Sequence, residues 1–388
     1  MRVLMLSWEA PPEDAGAVAA HVEGLATALH RAGHEVTVAC VATEDTALGV
    51  AENLVGGVRI LRTAVRSPWI SEPIALSASA NHHLVALQSR LGSWIPDVIH
   101  AHDWRTAWAG HTLAAVLDRP LVATFHSTEL GRHGGTVPGG LPAAIHAVEW
   151  WLALSADQVI CCSQFMLREV LAGFELSPER VQLVPNGVDV ERWAPPHDPP
   201  TREPLVLAWG RVQYEKGFQV LAQAVSRLRG AIPGLQCVIA GRGSYLPELQ
   251  SQVDIEGVHD LVHLVGYVDD SDLRALLHRA GCVVIPSLYE PFGIVALEAM
   301  AADAPAIVAR TGGLAEIMDG TGAGLLFEPG NAVDLAESIR SVLTDPEMSA
   351  HLRRQARDVL RSRYSWDAIA QATAAVYGRC RRPSISGR

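Results

Sequence analysis

The chain has 388 residues, 49% of them hydrophobic, with 33 Gly, 23 Pro and a formal net charge of −11. That length exceeds one ordinary core and suits two domains of a soluble α/β enzyme. The acidic balance argues against general binding to nucleic acid or to an anionic membrane, so a polyanionic ligand requires a local basic pocket.

The six cysteines, Cys40, Cys161, Cys162, Cys237, Cys282 and Cys380, lack metal-ligand spacing. They read as reduced core thiols, which implies a cytoplasmic setting. The apolar run at 1–7 is too short for a signal peptide and soon meets Glu9 and Pro11-Pro12. No run of about twenty apolar residues occurs that would cross a membrane.

In chain order, 2–7 is a first buried strand, 8–16 a turn-rich loop and 17–31 a helix stopping at Gly33. Strands follow at 36–40 and 58–63, an amphipathic stretch at 72–91, a strand at 97–100, a helix over 104–117 and a strand at 121–125. A glycine-rich loop at 131–140 leads to a helix near 142–155, a strand at 158–162, a helix after Ser163 and a short strand at 181–184. Such alternation predicts a doubly wound parallel sheet. The proline-rich stretch 194–204 breaks the pattern and marks a domain boundary. Strands then recur at 205–209, 235–240, 262–265, 282–285 and 306–309, with helices at 216–229 and 245–255, and a last helix at 366–377. Two wound sheets in tandem predict a ligand cleft at the carboxyl ends of their strands.

Two stretches carry the chemistry. Arg211 and Lys216 lie five apart in the loop after the second domain's first strand. Arg gives bidentate contact and Lys a point charge, so the pair can reach both phosphates of one diphosphate. An incidental surface pair is the bland alternative, and the acidity of the rest of the chain weighs against it. The second stretch is 285–300. Its strand breaks at Pro286 and a helix is predicted to start near Phe292, with Pro291 close to its first position. The first amides of a helix are unpartnered and carry about half a positive charge, which suits a diphosphate. Glu290 stands before this helix and Glu298 two turns in. Carboxylates so near a phosphate cradle make sense when they accept hydrogen bonds from hydroxyls, a sugar on one side and a ribose on the other. A nucleotide-sugar site competes here with an ordinary strand-loop-helix unit bearing two solvated acids.

Metal is the usual rival for holding a diphosphate. Asp270-Ser271-Asp272 precedes the apolar-periodic run 273–280 and reads as helix capping. His100, His102, Asp103 and His126 fall at the ends of neighbouring strands, where a His often only organises a loop. They lack a carboxylate or Cys partner at helical spacing for zinc.

The 290–298 stretch resembles the Glu-x7-Glu element of retaining GT-B glycosyltransferases, the class that includes bacterial glycogen synthases. The likeness runs from the first strand to Tyr377. It implies two Rossmann-like doubly wound domains facing an inter-domain cleft: 1–193 on the acceptor side and 205–363 binding the nucleotide sugar. A linker at 194–204, a terminal helix at 364–378 returning to the first domain and a flexible basic tail at 379–388 complete the division. By this resemblance Glu290 meets the donor sugar and Glu298 the ribose. Arg211, Lys216 and the amides of Phe292, Gly293, Ile294 and Val295 neutralise the departing nucleoside diphosphate. His102-Asp103-Trp104 is similar to the His-Asp-Trp of glycogen and starch synthases, and His126 to the active-site His on the donor sugar. Glu129, Arg132 and His133 resemble an acceptor-side loop of bacterial α-1,4-glucan glucosyltransferases, and His102 is expected on the acceptor side with them. The stretch 8–17 corresponds to the family's first glycine loop, before a helix carrying His21-Val22. Gly16 keeps one of its two usual glycines and Ala17 replaces the second, where a β-carbon would crowd a phosphate or forbid a positive φ.

The expectation is a retaining hexosyltransferase that moves glucose from UDP- or ADP-glucose to an α-glucan or other sugar acceptor. Its catalytic set is His126, Asp103, Arg211, Lys216 and Glu290; no metal, no cofactor, no nucleic acid and no membrane insertion are expected. With no obvious carboxylate nucleophile, front-face substitution is the expected course. A sugar-nucleotide epimerase on the same frame, and a nucleotide-sugar-binding regulator without turnover, stay open beside it. So do the base, the hexose, the acceptor and the oligomeric state.

Overall fold

The computed structural model describes residues 1–10, 16–42, 50–65, 70–198 and 200–380. Residues 11–15 of the first glycine loop and 381–388 of the basic tail lie outside the described residues. The chain divides into two compact units: Met1–Gly187 with the stretch from Trp366 on, and Val188–Ser365.

The first unit is built on β1 (Arg2–Ser7), β2 (Glu35–Ala42), β3 (Val50–Val55), β4 (Val58–Ala64), β5 (Val98–His102), β6 (Leu121–Phe125), β7 (Gln158–Cys161) and β8 (Val181–Leu183). They form one eight-stranded sheet in the order β3-β4-β2-β1-β5-β6-β7-β8. β5 and β6 are buried at every position, and β1 at all but Arg2. Continuous apolar runs such as Val3-Leu4-Met5-Leu6 are what a parallel strand covered on both faces requires.

β3 is absent from the sequence reading. It pairs antiparallel with β4 and leaves its four middle residues exposed, so no apolar run announces it. The usable signal is Gly56-Gly57 between Val55 and Val58. Both glycines have positive φ, 57° and 83°, as a two-residue hairpin turn demands.

The helix Trp366–Arg379 belongs to the first unit, where Ile369, Ala370, Val376 and Tyr377 join the core of Val3, Met5, Leu25 and Leu29. Its first residue needs two glycines: a Cβ on Gly24 would lie 2.1 Å, and one on Gly187 2.7 Å, from the Trp366 indole.

The second unit holds β9 (Glu203–Trp209), β10 (Gln236–Ala240), β11 (Val262–Gly266), β12 (Ala280–Ile285), β13 (Ala306–Ala309) and β14 (Gly324–Phe327), in the order β11-β10-β9-β12-β13-β14. All neighbours run parallel. The division at Gly187 precedes the proline-rich stretch, because Val188 bridges to Ser365 and the short helix Val190–Trp193 packs on the helix Ile294–Ala301. Helices Ala332–Thr344 and Pro346–Arg363, capped by Asn331 and Asp345, follow β14. No helix among the described residues is long and apolar enough to cross a membrane.

In each sheet the strand order reverses beside the first strand: β1 lies between β2 and β5, and β9 between β10 and β12. Loops leaving the strands at such a reversal diverge and open a crevice at the carboxyl ends.

Candidate active site

In the second unit, the loops after β9 and β12 flank the reversal. Arg211 follows β9; its side chain is exposed and has no hydrogen-bond or ion-pair partner among the described residues. Lys216 closes the tight turn Tyr214–Lys216, and its Nζ lies 2.7 Å from Glu290 Oε2. The same oxygen accepts the Ser287 hydroxyl at 3.1 Å. The Lys216 and Glu290 side chains are only 20% and 13% exposed, so the pair counts for more than a surface ion pair.

Main-chain bonds hold the loops in register. Leu288 N–H donates to Glu215 O at 2.7 Å, and Gly313 N–H, after β13, donates to Glu290 O at 3.0 Å. Gly217, at φ 70°, leaves no room for a side chain: a Cβ would stand 1.8 Å from Pro286 O. The cradle is backbone packed on backbone, and that fixes where Lys216 and Glu290 point.

The helix predicted from Phe292 begins at Ile294. Gly293, at φ 102° and ψ 52°, is its N-cap and prevents Pro291 and Phe292 from joining the first turn. The orphan amides are therefore those of the first turn from Ile294, including Val295. Glu298 comes one turn in, not two. Burial, and secondarily the charge of Asp270, push its carboxyl up to about 7 against the opposing pull of Arg192 and a hydrogen bond from Trp209. The acidic stretch near 270 caps a helix, with Asp269 as the cap: its Oδ1 accepts from Ser271 N and Asp272 N, both at 2.9 Å. Asp270 pairs with Arg192.

In the first unit, histidines gather at the carboxyl ends of β5 and β6. His100 is locked by Tyr377 Oη at 2.8 Å and Thr124 Oγ1 at 2.7 Å. His102 Nδ1 lies 3.2 Å from His126 Nε2. Asp103, at φ 58°, turns its Oδ1 onto the His126 backbone N–H at 2.7 Å. Its carboxylate thus holds the loop that carries His126. His21, from the helix Ala17–Arg31, packs edge-on against His126 with ring centroids 4.7 Å apart. Burial lowers the pKa of all four rings, that of His126 to about 4, so the cluster is neutral at pH 7.

Beside it, Thr128 Oγ1 caps the short helix Glu129–Arg132 by accepting from Gly131 N at 3.0 Å. Glu129 receives His133 Nε2 at 3.3 Å and Arg132 Nε at 3.8 Å, so three of the four residues expected on the acceptor side form one group, while the fourth, His102, is buried in the histidine cluster. Glu149 lies beneath them on the helix Leu141–Ser155, and both its oxygens accept the Glu129 N–H at 3.1 Å. Burial pushes its carboxyl up to about 9.

The pattern of "Glycosyl transferases group 1" matches residues 189–359, and that of "Glycosyltransferase Family 4" matches residues 18–192. A glycogen synthase of Mycobacterium tuberculosis is 39% identical over 97% of this chain and 94% of its own. The chain belongs to the group 1 glycosyltransferases. An α-maltose-1-phosphate synthase of the same organism is 30% identical over 97% of this chain and 99% of its own. Among solved structures, a sucrose-phosphate synthase from Thermosynechococcus elongatus superposes with a TM-score of 0.82 at 25% identity, over 97% of this chain and 98% of its own. The GT-B architecture read from the motifs is the fold of this glycosyltransferase.

Glu149 is not marked by the sequence, because only the fold brings it beneath the Glu129 loop; His21 is marked only as part of the His-Val pair, and the fold brings it against His126. Position 17 does not require the positive φ considered for it. Ala17 is the exposed first residue of its helix and has no positive φ, and Gly16 is extended at φ −78°. Ligand atoms of His21, His102 and His126 lie within 4.8 Å of one another, as a metal site would need. Two of these three rings are joined to each other by the His102–His126 bond.

Proposed function

We propose that this glycosyltransferase moves a hexose, glucose for preference, from UDP- or ADP-glucose to an α-glucan or related sugar acceptor, with retention at the anomeric carbon and without a metal ion. The observation that carries the reading is the Lys216–Glu290 pair at the reversal of the second sheet, with Arg211, unpartnered among the described residues, in the loop that leads to Lys216 and the helix start at Ile294 adding its amides. Similarity to a glycogen synthase supports the choice of donor and acceptor.

In this reading the C1–O bond to the diphosphate breaks and the acceptor hydroxyl bonds to C1 on the same face. The acceptor's proton passes to the departing phosphate oxygen. Arg211, Lys216 and the amides of Ile294 and Val295 take up the growing negative charge, and one such donor is worth about 3–4 kcal/mol. Glu290, relieved of Lys216 by the incoming phosphate, accepts sugar hydroxyls, and Glu298 accepts those of the ribose. His126 is assigned to the donor sugar. Glu129, Arg132 and His133 are assigned to the acceptor.

Incubation with UDP- and ADP-glucose, with and without maltooligosaccharide, tests the proposal. Nucleoside diphosphate released only with acceptor, together with an α-linked product by NMR, is the expected result. Conversion of the sugar nucleotide without acceptor would make the protein an epimerase, and tight binding without product a regulator. Loss of turnover in chelator with recovery in magnesium would overturn the metal-free course.

A further inference from the structure

Among the described residues, the buried Nε2 of His102 in the first unit's histidine cluster has no hydrogen-bond partner. The other nitrogen of His102, Nδ1, faces His126 Nε2 at 3.2 Å. The two rings are inclined by only 18° and their centroids are 5.5 Å apart, close to the N···N distance plus one ring radius at each end. The bond is therefore nearly straight and lies in the plane of both rings.

Its direction follows from the partner that His102 lacks. Both rings are neutral at pH 7, so each holds one proton and the bond has one donor. With the His102 proton on Nε2, a buried N–H would be orphaned, the rarer and costlier defect. With the proton on Nδ1, only a lone pair stays unmet. The Nδ1–H of His102 then donates to His126 Nε2, and the proton of His126 must sit on its own Nδ1. Both rings are packed on by neighbours: His100 against His102 with centroids 4.2 Å apart, and His21 against His126 at 4.7 Å. Thr106 Oγ1 donates to His102 O at 3.0 Å and Asp103 holds the His126 amide, which fixes the backbone that carries them.

We propose that His102 is a positioning residue that fixes His126 as its Nδ1–H tautomer, so that His126 meets its ligand as a hydrogen-bond donor and not as a base. What stands opposite that N–H rests on the proposed function, where a sugar oxygen is the acceptor; the tautomer does not.

Long-range 1H–15N spectra of the full chain labelled with 15N-histidine test this at pH 7.5, with His126 assigned through the resonances lost in His126→Gln. The expected spectrum shows a protonated Nδ1 and a bare Nε2. In His102→Leu the His126 proton redistributes toward Nε2 and the donor-sugar KM rises about tenfold. In His102→Asn, whose side-chain N–H replaces the Nδ1 donor, both return toward the wild-type values. A protonated Nε2 in the wild type, or a His126 signal unchanged in His102→Leu, overturns the proposal. The wild-type spectrum and the Asn variant decide it even if the Leu variant does not fold. An Nδ1–H tautomer in a protein that transfers no sugar would remove only the functional reading.

Discussion

Lys216 is held by Glu290, and the proposed transfer requires it to leave that carboxylate for a phosphate. Lys216→Ala should therefore lower kcat about 10²–10³-fold. Stability should fall by only about 1–3 kcal/mol, the scale of one charge-assisted bond. Steady-state kinetics with urea denaturation of the same variant separates the two effects, and an unchanged turnover would remove Lys216 from the mechanism. The residues with shifted pKa make opposite predictions at the two ends of the pH scale. The buried histidines have folded pKa values below the ordinary 6.5, so their neutral forms stabilise the fold above that pH. Stability should drop as pH falls below about 6.5, by up to about 1.4 kcal/mol per pH unit for each ring protonated only on unfolding. Glu149 runs the other way. Its folded value of about 9 lies above the ordinary 4.5, so the stability it lends is full below 4.5 and is lost as pH rises toward 9. Glu149→Gln should flatten that alkaline decline while keeping an acceptor for the Glu129 N–H. Thermal melts from pH 5 to pH 9 check it, and parallel curves for variant and wild type would show that Glu149 is ionised.

At the level of elements, the cradle depends on glycines that let backbone meet backbone. Gly217 combines φ 70° with a Cβ position 1.8 Å from Pro286 O, whereas Gly134 has φ 62° but open space around it. Gly134→Ala should cost about 1–2 kcal/mol, the left-handed penalty alone. Gly217→Ala must also push the Lys216 turn away from the β12 loop, and should lose several-fold more activity than Gly134→Ala. Comparable losses in both would show that the contact is not needed. The same local conformations explain what was legible. The alternation of apolar strands and amphipathic helices exposed both wound sheets, and capping chemistry marked the helix that starts at the acidic stretch near 270. The start of the helix after β12 was misplaced by two residues, because Pro291 resembles a first-turn proline while Gly293 takes a left-handed cap that sequence cannot distinguish from an ordinary loop glycine. The hairpin strand β3 escaped because its exposed face removes the apolar signal, and Gly56-Gly57 was the only mark it left.

At the scale of the molecule, the first unit's core is assembled from sequence positions far apart, and this is why its histidine cluster could be read only in part. His100, His102 and His126 announced themselves at strand ends. The lock on His100 comes from Tyr377, which no spacing rule connects to β5. The helix bearing Tyr377 is structural for that unit, with Trp366 seated against Gly24 and Gly187 and Ile369, Val376 and Tyr377 buried at 3%, 4% and 1% exposure. Burying side chains of this size is worth about 1.5–3 kcal/mol each. Three of them, with the half-buried Trp366, approach the whole stability of a typical domain, about 5–15 kcal/mol. A chain ending at Ser365 should therefore keep Val188–Ser365 folded and lose the first unit, although it retains every strand of both sheets. Limited proteolysis with mass spectrometry reads this directly: a protected fragment spanning about 188–365 should outlast all peptides of 1–187. Trp366→Ala in the full chain should lower the first unit's melting point without abolishing it, since it removes one side chain and leaves the helix. Equal protection of both units in the shortened chain would mean that the terminal helix only covers a core able to stand alone.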